Sequence, residues 1–136
     1  MRTLIVIKPT GVKRGLVGEI LRRFERVGFK IREMKLMQLG KGKAEKLYEM
    51  HKGKEFFPRL IEHITSGPII PVVIEINLSG EEGIKLARKI VGKTNPLEAE
   101  MGSIRGDFAR SLTQNVIHSP DSVENAEREI KIFFSD

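Results

Sequence analysis

The run Ile-Ile-Pro-Val-Val-Ile-Glu-Ile at residues 69–76 is the feature that most constrains the fold of this 136-residue chain. It is rich in β-branched residues and follows the breaker Ser66-Gly67-Pro68, so it predicts a buried central strand. Residues 3–8 form a second β-branched run, which predicts another buried strand that ends at Lys8-Pro9. A chain with two such strands needs other elements to cover the faces of its sheet.

The segments around these two strands predict helices and two further strands. Apolar residues recur at helical spacing over residues 16–27, and Gly28 is expected to end that helix. Residues 29–39 alternate roughly between apolar and charged side chains, which predicts one long strand. The remaining elements are predicted as helices over residues 43–51 and 55–64, a helix from the capping box of Ser79 and Glu82 through residue 90, a short strand over residues 116–118 and a last helix from about residue 121 to about residue 132.

The predicted element order, β-α-β-αα-β-α-loop-β-α, favours an α+β fold. It fits a ferredoxin-like βαββαβ sandwich, in which helices cover a four-stranded antiparallel sheet. An extra helix pair decorates this core, and residues 92–114 form a long loop before the last strand. A loop of that length inside a compact domain is most often functional. No repeat, linker or low-complexity segment divides the chain, so residues 1–136 are expected to form a single domain.

Composition limits the classes of partner and chemistry. The chain has 24 Lys and Arg against 18 Asp and Glu, a net charge of +6, and this balance favours polyanionic partners such as phosphates. Seven Phe, one Tyr and no Trp argue against a surface that stacks the bases of single-stranded nucleic acid. The absence of cysteine excludes disulfides, thiolate catalysis and cysteine zinc sites. No apolar run could span a membrane and no secretory signal is recognisable, so a cytoplasmic location is expected.

Residues suited to phosphate chemistry occur where predicted elements end. His118 ends the last strand, and a neutral imidazole is a nucleophile near pH 7. Basic and hydroxyl side chains stand at separate breaks along the chain: Lys8, Arg88, Thr94 and Arg105. Arginine binds phosphate oxygens with paired N–H groups, and phosphoryl transfer depends mainly on positioning and charge neutralisation. These residues together predict a phosphoryl-transfer site, although the chain has neither a P-loop nor the protein-kinase motifs.

Short motifs follow one another in order along the whole chain. They are Ile-Lys-Pro-Thr-Gly-Val (7–12), Arg-Gly-Leu-Val-Gly-Glu-Ile (14–20), Phe56-Phe57, Ser-Gly-Pro (66–68), Gly-Lys-Thr-Asn-Pro (92–96), Ser-Ile-Arg-Gly-Asp-Phe (103–108) and Asn-Val-Ile-His-Ser-Pro-Asp-Ser (115–122). This ordered set resembles the nucleoside diphosphate kinase family. The resemblance implies a ping-pong enzyme, which moves the γ-phosphate of a nucleoside triphosphate to a nucleoside diphosphate through a phosphohistidine at His118.

The resemblance also implies roles for individual residues. His118 Nδ1 attacks the γ-phosphate, while Glu129 accepts a hydrogen bond from the other ring nitrogen and fixes the tautomer. Tyr48 lies beside the transferring group, and Lys8 reaches the γ-phosphate and the ribose 3′-hydroxyl. Arg88, Thr94 and Arg105 are implied to bind the β- and γ-phosphates. Asn115 is implied to bind the ribose hydroxyls. Phe56 and Leu112 are implied to contact the two faces of the base.

The chain departs from the family pattern at three places. Pro120 stands where the family usually has a serine that is hydrogen-bonded to the glutamate, and proline has neither a hydroxyl nor an N–H. Ser119 and Ser122 are the alternative hydroxyl donors for this contact. Thr10 replaces a common aspartate, and Thr113-Gln114 replaces the usual Gly-Arg. Every residue that the resemblance places against the substrate is retained, so activity is expected.

A cofactor and partners are also implied by the resemblance. Mg²⁺ is expected, held mainly by the nucleotide phosphates and water, and a homo-oligomer is expected as a hexamer or tetramer built on dimers. Neither a membrane nor nucleic acid is an expected partner. Two alternatives stay open: a non-enzymatic ferredoxin-like module that binds nucleic acid, and a regulatory protein that carries a phosphohistidine without discharging it onto diphosphates.

Overall fold

An antiparallel sheet forms the centre of the fold in a computed structural model that describes residues 1–110 and 115–135. Its strands are β1 (Arg2–Ile7), β2 (Lys30–Met34), β3 (Met37–Gln38), β4 (Pro68–Glu75) and β5 (Ile117–His118). The main strands lie in the order β2–β4–β1–β5, and the short β3 also pairs with β4. The ferredoxin-like α+β prediction is confirmed, with five strands in place of the four that the sequence predicted.

Central strands β1 and β4 are buried on both faces. Leu4 lies opposite Val73, and Ile5 lies opposite Val72. Successive side chains of a strand point to opposite faces. Leu4 and Val73 therefore join the core under one layer of helices, and Ile5 and Val72 join the core under the other. Because neither face meets water, both strands read as continuous apolar runs, which is why they were recognisable from the sequence.

Two layers of helices cover the sheet. In chain order the helices are α1 (Pro9–Lys13), α2 (Val17–Val27), α3 (Lys41–Leu47), a 3-10 helix (Glu49–His51), α4 (Phe57–Ile64), α5 (Gly80–Val91), α6 (Ile104–Phe108) and α7 (Val123–Phe134). Helices α2, α5 and α6 pack on one face, and α3, α4 and α7 on the other. As predicted, Gly28 ends α2 with a φ of 118°, and Ser79 with Glu82 forms a capping box at the start of α5. None of the helices in residues 1–110 and 115–135 is both long and apolar enough to cross a membrane.

The prediction of one strand over residues 29–39 was wrong, because the structure has two strands separated at Lys35 and Leu36. The separation lies opposite Pro71 of β4, which has no N–H to donate to its neighbour. Lys35 still donates its backbone N–H to the Pro71 carbonyl, at 3.3 Å, while its side chain bonds the Phe133 carbonyl. A long-range pairing thus interrupts a segment whose local pattern was continuous.

Three other segments differ from the sequence predictions. Residues 9–13, for which no helix was predicted, form the short helix α1. The helix predicted over residues 43–51 begins at Lys41 and ends at Leu47, and the 3-10 helix follows it. The long loop contains α6, whose N-cap Ser103 accepts a hydrogen bond from the Gly106 N–H. A helix of five residues is too short to show a periodic apolar pattern, so the sequence did not reveal it.

Candidate active site

A cleft of about 560 Å³ opens beside the end of β5, between the two helical layers. The predicted site residues that fall in the described part of the chain all line it: Lys8, Tyr48, Phe56, Arg88, Thr94, Arg105, Asn115, His118 and Glu129. They come from separate elements and loops that span most of the sequence. Leu112, the remaining predicted residue, lies outside the described residues. The structure therefore brings the predicted side chains together, and their individual roles stay predictions.

His118 and Glu129 form the central polar contact of the cleft. β5 pairs with the end of β1 and aligns His118 with Val6. The ring Nε2 lies 2.5 Å from Oε1 of Glu129, a residue of α7 that is only 1% exposed. An ionised carboxylate can only accept a hydrogen bond, so the proton of the neutral ring belongs on Nε2. The free lone pair of the ring therefore lies on Nδ1, and this nitrogen is the atom through which the ring can act as a nucleophile.

Tyr48 fixes the ring of His118 from the side. The two ring centroids are 5.4 Å apart with the planes at 86°, an edge-to-face contact. The Tyr48 hydroxyl is buried and has no hydrogen-bond partner among the described residues. Burial, followed by the negative charge of Glu129, raises the pKa of this phenol above its ordinary value. Tyr48 therefore keeps its proton and can donate it to an acceptor such as a phosphate oxygen.

Two buried cations face the same space. Lys8 is 3% exposed, and burial together with the charge of Arg105 lowers its pKa to about 7. Arg105 is 6% exposed, and burial together with the charge of Arg88 lowers its pKa to about 10. Within the described residues neither these two cations nor Arg88 forms an ion pair with a carboxylate. Uncompensated positive charge in a cleft favours a polyanionic ligand.

Backbone carbonyls hold Arg105 in place. Its Nη1 donates to the Gly92 carbonyl at 3.1 Å, and its Nη2 donates to the Ile117 carbonyl at 3.0 Å. The segment that carries it is fixed to α2, because Arg23 contacts Asp107 at 2.6 Å. This anchoring explains how a long irregular segment can aim a guanidinium at the end of β5.

The outer end of the cleft carries an exposed aromatic ring. Phe56 is 39% exposed, and the His51 ring lies 5.2 Å from it. The Nζ of Lys54 lies 5.7 Å from the centre of the Phe56 ring and 3.2 Å from His51 Nδ1. Burial, followed by the charge of Lys54, lowers the pKa of His51 and keeps its ring neutral at pH 7. An exposed ring held in this way can stack on a flat ligand such as a nucleobase.

Sequence reasoning missed some residues that line the cleft. His51 and Arg59 both do so, and each lies three positions after a residue that was predicted, Tyr48 and Phe56 respectively. Residues three apart share a helical face, so this spacing was the signal available. Asp121, also missed, follows β5 and accepts a hydrogen bond from Asn125 at 2.7 Å.

The donor set of the cleft suits a metal that arrives with its ligand. Within residues 1–110 and 115–135, no three His, Asp or Glu side chains come together as they would around a protein-held ion. The Glu129 carboxylate already accepts a hydrogen bond from His118. The buried cations Lys8 and Arg105 line the same cleft. These side chains are therefore suited to an anionic ligand, which can bring its own metal ion.

A family model described as nucleoside diphosphate kinase matches residues 1–136. The chain belongs to the nucleoside diphosphate kinase family. This membership confirms the resemblance seen in the motifs. It also confirms the prediction of a phosphotransferase over that of a nucleic-acid-binding module.

Individual relatives agree over nearly the whole chain. The nucleoside diphosphate kinase of Methanocaldococcus jannaschii is 54% identical over 135 residues, which cover 99% of this chain and 94% of that protein. The Saccharolobus solfataricus enzyme is 50% identical over 133 residues, covering 98% and 94%. The crystal structure of the nucleoside diphosphate kinase from Encephalitozoon cuniculi superimposes with a TM-score of 0.92 at 37% identity, covering 99% of this chain and 89% of that one.

Two of the departures from the family pattern have visible surroundings. Pro120 is buried and lines the cleft directly after His118-Ser119. Thr10 Oγ1 lies 3.2 Å from His63 Nε2, and burial, with the charge of Lys8, lowers the pKa of that histidine. The third departure, Thr113-Gln114, lies outside the described residues.

Proposed function

We propose that this protein transfers the γ-phosphate of a nucleoside triphosphate to a nucleoside diphosphate through a phosphohistidine on His118. One observation carries the proposal. The ring of His118 is bonded through Nε2 to the buried Glu129, and it shares a cleft with Lys8, Arg88 and Arg105, cations that form no ion pair with a carboxylate in the described part of the chain. A nucleophile beside uncompensated positive charge suits attack on a phosphoryl group.

In the first half-reaction, the Nδ1 lone pair forms a bond to the γ-phosphorus. The bond from this phosphorus to the bridging oxygen breaks, and its electron pair leaves on the nucleoside diphosphate. The Nε2 proton stays on the ring, where Glu129 stabilises the positive charge that the ring gains. The second half-reaction reverses these steps with a different diphosphate, so no net proton is taken up.

The cleft residues act on the phosphates by charge and position. Arg105 is held in one position by two carbonyls, and a preorganised guanidinium is effective at stabilising the charge of a transition state. The pKa of Lys8 is about 7, and an incoming polyphosphate favours its charged form. Tyr48, protonated and unpartnered, is a donor for the transferring group.

The proposal extends to cofactor, substrate and assembly. Mg²⁺, carried by the nucleotide, would supply positive charge to the phosphates beside that of Lys8, Arg88 and Arg105. Phe56 would stack on one face of the base, with Leu112 on the other. Stacking alone would make the enzyme indifferent to which base is bound. A homo-oligomer, hexamer or tetramer, and a cytoplasmic location are proposed from the family resemblance and the sequence respectively.

A label-and-chase experiment tests the reaction. The protein is incubated with γ-labelled ATP and Mg²⁺, and an excess of unlabelled GDP is then added. We expect an acid-labile, base-stable label on the protein that moves quantitatively onto GDP. His118→Ala should lose the label and at least about 10³-fold of the transfer rate, whereas His63→Ala, which removes a histidine outside the cleft, should keep both.

Other outcomes separate the remaining hypotheses. A label that forms but does not move to GDP would favour the regulatory phosphohistidine carrier. Transfer that survives in His118→Ala would refute the assignment of the nucleophile. Nucleic-acid binding that weakens steeply with salt and is unaffected by His118→Ala, in a protein without transfer, would favour the binding module.

A further inference from the structure

The second oxygen of the Glu129 carboxylate has its own charged neighbour. Oε1 binds His118, and Oε2 lies 3.5 Å from Nη2 of Arg128, the preceding residue of α7. Glu129 is 1% exposed and the Arg128 side chain is 32% exposed, so the contact joins a buried carboxylate to a cation at the surface. A buried carboxylate without a second partner would be free to turn about its last torsion and would be poorly stabilised in its charged form.

Arg128 is itself held by the end of α3. Its Nη1 donates to the Lys46 carbonyl at 2.8 Å, and its Nη2 lies 3.5 Å from the Leu47 carbonyl. The last carbonyls of a helix have no partner within the helix and carry partial negative charge, so they bind a cation well. Tyr48, the edge-to-face neighbour of His118, is the next residue along the chain. One guanidinium thus contacts both Glu129 and the end of the helix that leads into Tyr48.

Pro120, in the loop after β5, cannot replace the contact between Arg128 and the Glu129 carboxylate. Proline has no side-chain donor and no N–H, so this residue cannot bond the carboxylate. The Ser119 hydroxyl is buried, has no hydrogen-bond partner in residues 1–110 and 115–135, and does not reach Glu129 either. In the described residues the contacts of the carboxylate are therefore His118 on one oxygen and Arg128 on the other.

We propose that Arg128 is a positioning residue of this site, whose guanidinium orients and neutralises the Glu129 carboxylate that in turn orients His118. This inference rests on the proposed function. It assigns to Arg128 a task that the residue at position 120 cannot perform in this chain. Without the Arg128 guanidinium, the negative charge of the Glu129 carboxylate is less well neutralised. This charge then stabilises the protonated form of the His118 ring more strongly. Fewer molecules then have a lone pair on Nδ1 at a given pH.

Other charged and titratable groups around the ring are unchanged in every variant below. They are Lys8 from β1, Tyr48 and His51 from the end of α3 and the 3-10 helix, Arg88 from α5, Arg105 from α6 and Asp121 from the segment before α7. A difference between variants therefore reports the cation at position 128.

The experiment compares pH profiles of kcat and KM for the full-length protein with those of three variants. Arg128→Met removes both the charge and the bond to α3, whereas Arg128→Gln removes the charge and keeps a donor for the Lys46 carbonyl. For both we expect kcat to fall about 10-fold with KM changed less than about 2-fold. We also expect the acid limb of the profile to move up by about half a pH unit. Lys131→Met, which removes an exposed cation from the same helix, should change neither.

Ring titration and a rescue variant complete the test. The pH at which the His118 ring resonances titrate in the nucleotide-free protein should rise in Arg128→Met and Arg128→Gln, a readout that needs no catalysis. Pro120→Ser should restore kcat of Arg128→Met to within about 2-fold of Pro120→Ser alone, because a hydroxyl can then bond the carboxylate.

Each outcome decides the inference independently of the enzyme assignment. If the wild-type protein transfers phosphate but both neutral variants keep its acid limb and ring titration, Arg128 is not a positioning residue. If only Arg128→Met loses activity, the residue is merely an anchor for α3, and the inference is overturned. If the wild-type protein fails to transfer phosphate, the proposed function fails, and the ring titration still tests the contact.

Discussion

Lys8 is expected to make the nucleotide-free protein less stable than it would be with an apolar residue at that position. The ammonium is buried, and its pKa falls from an ordinary value of 10.5 to about 7. Between these two values the unfolded chain binds more protons than the folded one, so stability rises with pH across this window. Below about pH 7 both states are protonated and the buried charge costs its full amount.

The size of the effect follows from the pKa values. Each unit of pKa corresponds to ~1.36 kcal/mol, so the buried ammonium costs about 5 kcal/mol below pH 7. As the pH rises from 7 to 9, the folded state keeps a neutral amine while the unfolded state still binds a proton. The titration of Lys8 should therefore add about 2 kcal/mol to the free energy of unfolding over this interval. Lys8→Met has a side chain of similar length and cannot titrate, so it should lack this increment.

Urea unfolding at pH 7 and pH 9 measures the increment at one fixed protein concentration. The quantity of interest is the wild-type change minus the Lys8→Met change, because other titrating groups cancel in this difference. Lys13→Met on α1 removes an exposed lysine and should leave the wild-type change intact. Lys8→Met should also be more stable than wild type at pH 7 and should lose phosphate transfer. If the free energy of unfolding changes equally with pH in wild type and Lys8→Met, the reasoning that burial of the Lys8 charge destabilises the folded protein is refuted.

Two further substitutions test the geometry of the site. Glu129→Gln can offer an amide N–H to His118 and stabilise the wrong tautomer, so we expect kcat to fall about 10- to 100-fold, measured by steady-state transfer with melting temperature as the control for folding. Gly106→Ala would place a methyl group 2.0 Å from the Glu100 carbonyl oxygen, so the segment that carries α6 must shift. Its free energy of unfolding should fall by about 1–3 kcal/mol. Gly42→Ala should be neutral or stabilising, because outside its chain neighbours and its own helix backbone no atom of the described residues lies within 4 Å of the new methyl. Equal stabilities for these two variants would contradict the packing argument.

The local sequence pattern was sufficient to predict an element where its burial or capping follows a regular spacing of residues. β1 and β4 were recognisable because both of their faces are buried, and the start of α5 was recognisable because a capping box needs only two side chains three residues apart. His118 was recognisable for a similar reason, since a short apolar run ends on it. Such features depend on neighbours in the sequence, and the neighbours are visible there.

Segments shaped by distant partners were predicted less well. The break between β2 and β3 follows from Pro71, which lies far away in the chain and directly across the sheet. Helix α6 is too short to show a period, and it depends on contacts such as that of Arg23 with Asp107. No pattern within these segments carries that information, because the partner lies outside them.

The sequence by itself determined the two central strands, the main helices and the family, since these depend on local periodicity and on ordered motifs. Only the tertiary structure decided how far the site residues are buried and which groups touch. It lowered the pKa of Lys8 by enclosing it beside Arg105, left the Tyr48 hydroxyl unpartnered, and placed Arg128 against Glu129. Desolvation and contact between charges depend on distances through space, and these distances exist only once β1, α3, α6 and α7 have packed around the end of β5.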